Sequence, residues 1–284
     1  MTQNYCTLFN TNYLTRALVM YDSLLDTQTD FHLYIFAFDD TVFNFFKNDY
    51  VKKNITVISL LEFEDDELLN IKATRTSGEY CWTCTPSVIL YAIKKYDLSS
   101  CTYIDADLYF YNNPNILIEE MNDKSILLTE HRFTKEYEDK VENGIYCVQF
   151  MTFKNNNDGM KALQWWRDAC IEWCFARSEN GKFGDQKYLD DWLIRFDGVH
   201  ILKHIGGGVA PWNVQQYTFF ENNNIVKGVV NNKDENFNLV FFHFHSLKFY
   251  TNSTIWLSNY PTSSSAYQLV YSPYIKALIN KEKE

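Results

Sequence analysis

Proline and glycine are scarce in this chain, five and ten among 284 residues. Disordered segments are usually rich in such residues and poor in aromatics, so long unstructured stretches are not expected. No apolar run approaches the roughly 18 residues that a membrane-spanning helix needs. The N-terminus, MTQNYCTLFNTNYL, lacks a basic start followed by an apolar stretch, so no secretory signal is expected. Without secretion, the acceptor patterns at Asn54-Ile-Thr56 and Asn252-Ser-Thr254 carry no meaning. Positive charge is also in short supply: 26 Lys and Arg face 36 Asp and Glu, for a net charge of -10. Sequence-independent nucleic-acid binding requires a cationic surface, so no nucleic-acid partner is expected. An anionic ligand on such a chain needs local help, and a divalent cation is the obvious source. The seven cysteines form an odd set and read as reduced, mostly buried thiols of a cytoplasmic protein.

What is present is apolar and aromatic. Hydrophobic residues make up 46% of the chain and aromatics 17%, ample for a sizeable core. Short apolar runs alternate with helical spacing through the first half. YCTLFN (5–10), FHLYIFAF (31–38), ITVISL (55–60), CTYIDA (101–106), SILLTE (125–130) and YCVQFMTF (146–153) read as strands. Helical patterns cover 13–25, 87–96, 158–178 and 266–279, and a further helix restarts at 186. This alternation predicts an α/β fold with a mostly parallel sheet flanked by helices. VHILKHIGGGVAPWN (199–213) reads as a strand entering a glycine-rich loop, and NNKDEN (231–236) as a loop. No internal repeat or domain boundary stands out.

The chemistry concentrates in YIDADLYF (103–110), the one Asp-x-Asp of the chain, at the end of an apolar strand. If the strand continues between them, its period of two places Asp105 and Asp107 on one side. Ligands of open α/β sheets bind outside the C-terminal strand ends. Two carboxylates there repel unless a cation lies between them, and hard oxygen donors suit Mg²⁺ or Mn²⁺. A turn bearing two solvated acids, or a phosphatase-type nucleophilic Asp, fits the same two residues. FFHFHSLKF (241–249) reads as a strand with His243 and His245 on one face and Lys248 beyond. An imidazole joining two aspartates favours Mn²⁺, and Lys248 could neutralise a phosphate. The competing reading is a histidine hydrogen-bonded within the core.

Other features read more plainly. Cys81 and Cys84 form a single Cys-x-x-Cys, with Cys170 and Cys174 as the one candidate partner pair for zinc; packing thiols are simpler. Trp165, Trp166 and Trp173 read as core or interface residues, and EFEDDE (62–67) as a solvated face or helix start. The Gly206–Gly208 loop permits close backbone approach to a ligand or is a plain turn. Trp212 and Asn213 beside it could stack on and hydrogen-bond a ligand, or simply pack.

In their order, these elements resemble the retaining GT-A glycosyltransferases related to glycogenin and the bacterial lipopolysaccharide galactosyltransferases, of the nucleotide-diphospho-sugar transferase superfamily. YIDADLYF is similar to their strand-terminal Asp-x-Asp and HFHSLK to their C-terminal His-Phe-x-Gly-x-x-Lys, with Ser246 in place of the Gly. GDQKYLDDW (184–192), TLFNTNYLTRALVMYDSL (7–24) and GEYCWTCTPSVILYAI (78–93) resemble further segments. The resemblance implies one GT-A domain over 1–284. Residues 1–110 would form a nucleotide-binding half ending at Asp-Ala-Asp. Residues 111–284 would form an acceptor half with the C-terminal His strand. It implies that Asp105, Asp107 and His243 bind Mn²⁺ (or Mg²⁺), with Ala106 between the aspartates. Lys248 would contact the diphosphate, and Leu8, Asn12 and Tyr13 the base and ribose. Arg75 would reach the diphosphate or sugar, and Asp185 and Gln186 would face the transferred sugar. The activity implied is transfer from a nucleotide-sugar donor, with uridine as the base, to a carbohydrate or lipid-linked acceptor. The protein would be cytoplasmic, with peripheral attachment at the inner membrane face for a lipid acceptor. A nucleotidyltransferase would carry a glycine-rich N-terminal loop, which LFNTNYLTR lacks. A metal-dependent hydrolase and a carbohydrate-binding protein remain alternatives.

Overall fold

The computed structural model describes residues 2–251 and 254–283, so the Asn252-Ser-Thr254 pattern falls partly outside the described residues. The strands in chain order are β1 (Gln3–Phe9), β2 (Phe31–Ala37), β3 (Ile55–Ser59), β4 (Ser100–Ile104), β5 (Leu108–Phe110), β6 (Ile126–Glu130), β7 (Tyr146–Lys154), β8 (Val199–Ile201), β9 (Tyr217–Asn222), β10 (Ile225–Val230), β11 (Asn236–Asn238), β12 (Phe241–His243), β13 (Lys248–Phe249) and β14 (Ile255–Trp256). Seven of them form the central sheet in the order β3-β2-β1-β4-β7-β6-β8. Neighbours run parallel except at β7, which is antiparallel to both β4 and β6. The expected α/β architecture is therefore present, with a mixed, mostly parallel sheet.

Burial on both faces explains why these strands read as continuous apolar runs. The Ser77–Lys95 and Asn157–Glu172 helices cover one face with Val88, Ile89, Leu163 and Trp166. The Leu14–Thr27 helix covers the other with Leu18, Tyr21 and Leu24. A third apolar cluster joins β9 and β12 to the closing helical segment 264–281 through Phe219, Phe242, Tyr271 and Tyr274. The sheet order reverses about β1: β2 and β3 lie on one side, and the chain returns to β4 on the other. A crevice therefore opens at the C-terminal ends of β1 and β4, the switch point where open sheets bind ligands.

Three boundaries differ from the sequence reading. The helix expected over 87–96 begins at Ser77, because Thr76 and Glu79 form a capping box that satisfies orphan N–H groups at its start. Gly78 and Pro86 inside it disguise those first turns. The helix expected over 158–178 stops at Glu172; Trp173 is extended (φ -152, ψ 121), so Trp173 and Cys174 lie beyond it. FFHFHSLKF is two short strands rather than one, since β12 ends at His243 and Ser246 turns the chain at φ +66. That left-handed backbone is what glycine adopts most readily, which accounts for the Gly of the similar sequences at this position.

The glycine-rich loop is held by Arg132. Its guanidinium donates to the carbonyls of Leu202 (2.9 Å), Ile205 (3.1 Å) and Gly207 (2.9 Å). Lysine keeps the charge but lacks the planar fork that reaches several carbonyls at once. Arg132→Lys is therefore expected to cost about 2–3 kcal/mol in urea unfolding. An unchanged midpoint would show that the loop holds its own conformation.

Candidate metal and nucleotide site

β4 ends at Ile104, and the chain turns through Asp105, Ala106 and Asp107 into β5. The Leu108 N–H donates to the Asp105 carbonyl at 3.3 Å across this turn. The expectation of a strand continuing between the aspartates is thus corrected: a turn brings the carboxylates together. β5 then pairs antiparallel with β12, setting Leu108 opposite His243. The Phe244 N–H donates to the Asp107 carbonyl at 3.0 Å. This small two-stranded sheet carries His243 to the aspartates from far along the chain. His243 Nε2 lies 3.2 Å from an Asp107 carboxylate oxygen and 3.6 Å from one of Asp105. One donor atom from each of the three lies within 4.8 Å of the others, and no other such His/Cys/Asp/Glu group is found among the described residues.

The charges are in tension. Burial pushes the Asp105 carboxyl up to about 7; His243 pulls it down and the Asp107 charge pushes it up again. Burial also works against the Asp107 anion, but His243 overrides it and holds that carboxyl below its ordinary range, aided by His245 and Arg16. Burial disfavours an imidazolium at His243, yet Asp107 outweighs it and keeps the ring protonated well above the usual range. The Tyr103 hydroxyl donates to Asp105 at 2.9 Å. A divalent cation replacing the His243 proton that faces Asp107 would relieve the carboxylate repulsion. The residues fit such an ion: two hard oxygen donors and one imidazole suit Mn²⁺ or Mg²⁺.

A cavity of about 660 Å³ opens beside the three ligands. Leu8, Asn12, Tyr13, Ala106, Asp185 and Gln186 line it, as do the three ligands. Asn10 caps the turn Thr11–Tyr13, and the Asp39 carboxylate accepts from the Thr11 N–H at 2.7 Å, fixing the segment after β1. Asp185 is buried, and burial followed by the Asp105 charge raises its carboxyl to about 8. Gln186 Nε2 donates to the Asn143 carbonyl at 2.8 Å. Two residues expected at the site are not on this wall. Arg75 donates to the Ile171 carbonyl at 3.1 Å and lies 4.0 Å over the Phe175 ring. Lys248 opens β13 and is exposed. Arg16, absent from the sequence reading, donates to the Leu247 carbonyl at 3.0 Å and acts on the Asp107 carboxyl. His245 is near rather than on the ligand set, its ring centroid 5.7 Å from that of His243. Burial and His243 push its imidazole down to about 4.

Sequence reasoning also missed Tyr103, His131, Cys147 and Gln149, all on the cavity wall. Tyr103 had a signal, since it stands two residues before Asp105 on the same strand. Gln149 had another, as a buried amide inside an apolar strand. The Cys81 and Cys84 thiols sit within the 77–95 helix; all seven cysteines are free, and six are buried.

No family model matches the chain. Among curated proteins it is 32% identical to the uncharacterized protein YfnF of Bacillus subtilis (strain 168) over 254 residues, 86% of this chain and 81% of that protein. It belongs to the YfnF family. It is also 29% identical over 280 residues to the uncharacterized protein YfnD of the same strain, 96% of this chain and 88% of that one. Among solved structures, the YfnF-family chain is similar to the galactosyltransferase LgtC in complex with donor and acceptor sugar analogues. That match has a TM-score of 0.54 at 11% identity, over 98% of this chain and 96% of that one. It is similar as well to mouse xyloside xylosyltransferase 1, with a TM-score of 0.51 at 13% identity, over 89% of this chain and 99% of that one. The chain has the GT-A fold of these glycosyltransferases. Among the described residues, no helix is long and apolar enough to cross a membrane.

Proposed function

We propose that this YfnF-family chain is a metal-dependent glycosyltransferase, moving a hexosyl group from a nucleotide-diphosphate donor, with uridine as the base, to a carbohydrate or lipid-linked acceptor. The observation that carries this reading is the convergence of Asp105, Asp107 and His243 at the β1/β4 switch point of a GT-A sheet. Residues 1–110 supply the donor side of one GT-A domain and 111–284 the acceptor side. The reaction is assigned to the cytoplasm, at the membrane face where the acceptor is lipid-linked.

When bound, Mn²⁺ supplies Lewis-acid stabilisation to the departing diphosphate. The chain's own residues position the rest. Leu8, Asn12 and Tyr13 border the base and ribose. Arg16, held by the Asn12 and Leu247 carbonyls beside the segment after β1, adds positive charge near the diphosphate. Gln186, tied through its Nε2 to Asn143, has its amide oxygen left for the sugar. Asp185 and Gln186 together face the positive charge that develops at the anomeric carbon, and retention of configuration requires no separate base.

Thermal unfolding tests this directly. Uridine diphosphate with Mn²⁺, at about a hundred times its Kd, is expected to stabilise the protein by about 2.7 kcal/mol. For a chain of this size that is a rise in Tm of about 4–5 °C. No rise with any nucleoside diphosphate and Mn²⁺ would sink the reading.

A further inference from the structure

We infer that Gln149 is a positioning residue for His243, holding its imidazole in the orientation and tautomer that a metal ligand needs. The inference rests on the metal-site reading above and adds to it a residue outside the ligand set. Gln149 lies on β7 and is fully buried. Its Oε1 stands 2.6 Å from His243 Nδ1. An amide oxygen can only accept, so Nδ1 carries a proton, and Nε2, whose own proton a metal would displace, is the atom turned to the carboxylates. Nε2 is the atom that lies 3.2 Å from Asp107 and 3.6 Å from Asp105. The same residue touches the other half of the site through its backbone: its carbonyl accepts from the Asp105 N–H at 3.1 Å. One residue of β7 thus anchors both the turn that bears the aspartates and the ring that completes them.

The glycine-rich loop closes this arrangement from behind. The Val209 carbonyl accepts from the His243 N–H at 3.0 Å. The Trp212 ring meets the imidazole edge-on, centroids 5.4 Å apart. Gly208 sits at φ +90 against the Gln149 amide; an added Cβ there would stand 3.3 Å from its Nε2 and 2.5 Å from Thr129 Cγ2. The loop motif therefore has a use at the site without touching a substrate: its missing side chain leaves the space that Thr129 fills and that Gln149 borders. Gln149 Nε2 has no hydrogen-bond partner among the described residues. A methionine of similar length would avoid that desolvation, so the amide is poorly explained as packing and well explained by its oxygen.

Mn²⁺ affinity, measured without nucleotide by the paramagnetic resonance of free Mn²⁺, tests the inference on three proteins. Gln149→Met is expected to raise the Kd about 10–100-fold in a protein that still unfolds cooperatively, its midpoint lowered by no more than the loss of one buried hydrogen bond. Gln149→Glu, which keeps an acceptor for Nδ1, is expected to stay within about threefold of wild type. A folded Gln149→Met that binds Mn²⁺ like wild type overturns the inference and leaves the metal site standing. So does a folded Gln149→Glu that loses as much affinity as the methionine variant. Wild-type protein that binds no Mn²⁺ overturns the metal site itself, and this inference with it.

Discussion

Asp107→Asn is expected to weaken Mn²⁺ binding by at least about a hundredfold and to slow sugar transfer by about a thousandfold. The change is nearly isosteric, so the turn and the β5/β12 register should persist. What goes is the charge. Asp107 is the carboxylate that ionises readily in the metal-free protein, because His243 holds it low against the cost of burial. It is also the one nearest His243 Nε2, at 3.2 Å. An asparagine oxygen in its place is neutral and a poorer ligand for a hard cation. Asp105→Asn should damage metal binding as well, yet be easier on the metal-free fold, since burial already resists the Asp105 anion. Mn²⁺ titration paired with turnover of a uridine-diphosphate sugar checks both. Retained Mn²⁺-dependent turnover in Asp107→Asn would remove the aspartate pair from the site.

Why those three residues could be found in the sequence, and their supporting residues could not, has a physical answer. Asp105 and Asp107 interrupt an apolar strand, and His243 interrupts another; burial makes ionisable groups conspicuous in such runs. The alternation of strands and helices was equally legible, because burial on both faces writes an apolar run for each central strand. The route by which the ligands meet was not legible. It depends on the β5/β12 pairing, two strands of three residues each, whose register no local pattern announces. Strand and turn both stay open in the sequence at Asp105–Asp107, because the apolar character resumes at Leu108 and Phe110, which are buried in the core. Arg75 and Lys248 illustrate the converse. A long cationic side chain assigned by position alone can be taken up elsewhere, as Arg75 is by Ile171 and Phe175. Gln149 was visible as an amide in an apolar strand, but its partner lies 94 residues away, and only the fold shows why the oxygen is there.

Asp185→Asn is expected to produce two effects of opposite sign. Burial, with the Asp105 charge behind it, raises the folded-state carboxyl to about 8 from an ordinary 3.8. Below about pH 4 both the folded and the unfolded chain hold the proton, and the substitution changes little. Between about pH 4 and 8 the unfolded chain has released it while the folded chain keeps it, so the wild type loses up to about 1.4 kcal/mol of stability per pH unit. Asparagine has no proton to release and removes that slope. Metal-free wild type and variant should therefore diverge in denaturant midpoint as pH rises from 5 to 8, with the variant the more stable. A gap that does not widen would mean that Asp185 ionises like an exposed acid. Sugar transfer should move the other way. A bound divalent cation would add positive charge near Asp185 and work against the burial that holds its proton, which favours an anion facing the anomeric carbon. Asparagine cannot supply that charge, and a loss of about a hundredfold is expected in turnover. A stabilised variant with full turnover would leave Asp185 as a buried acid of the cavity wall and pass the sugar-facing role to Gln186 alone.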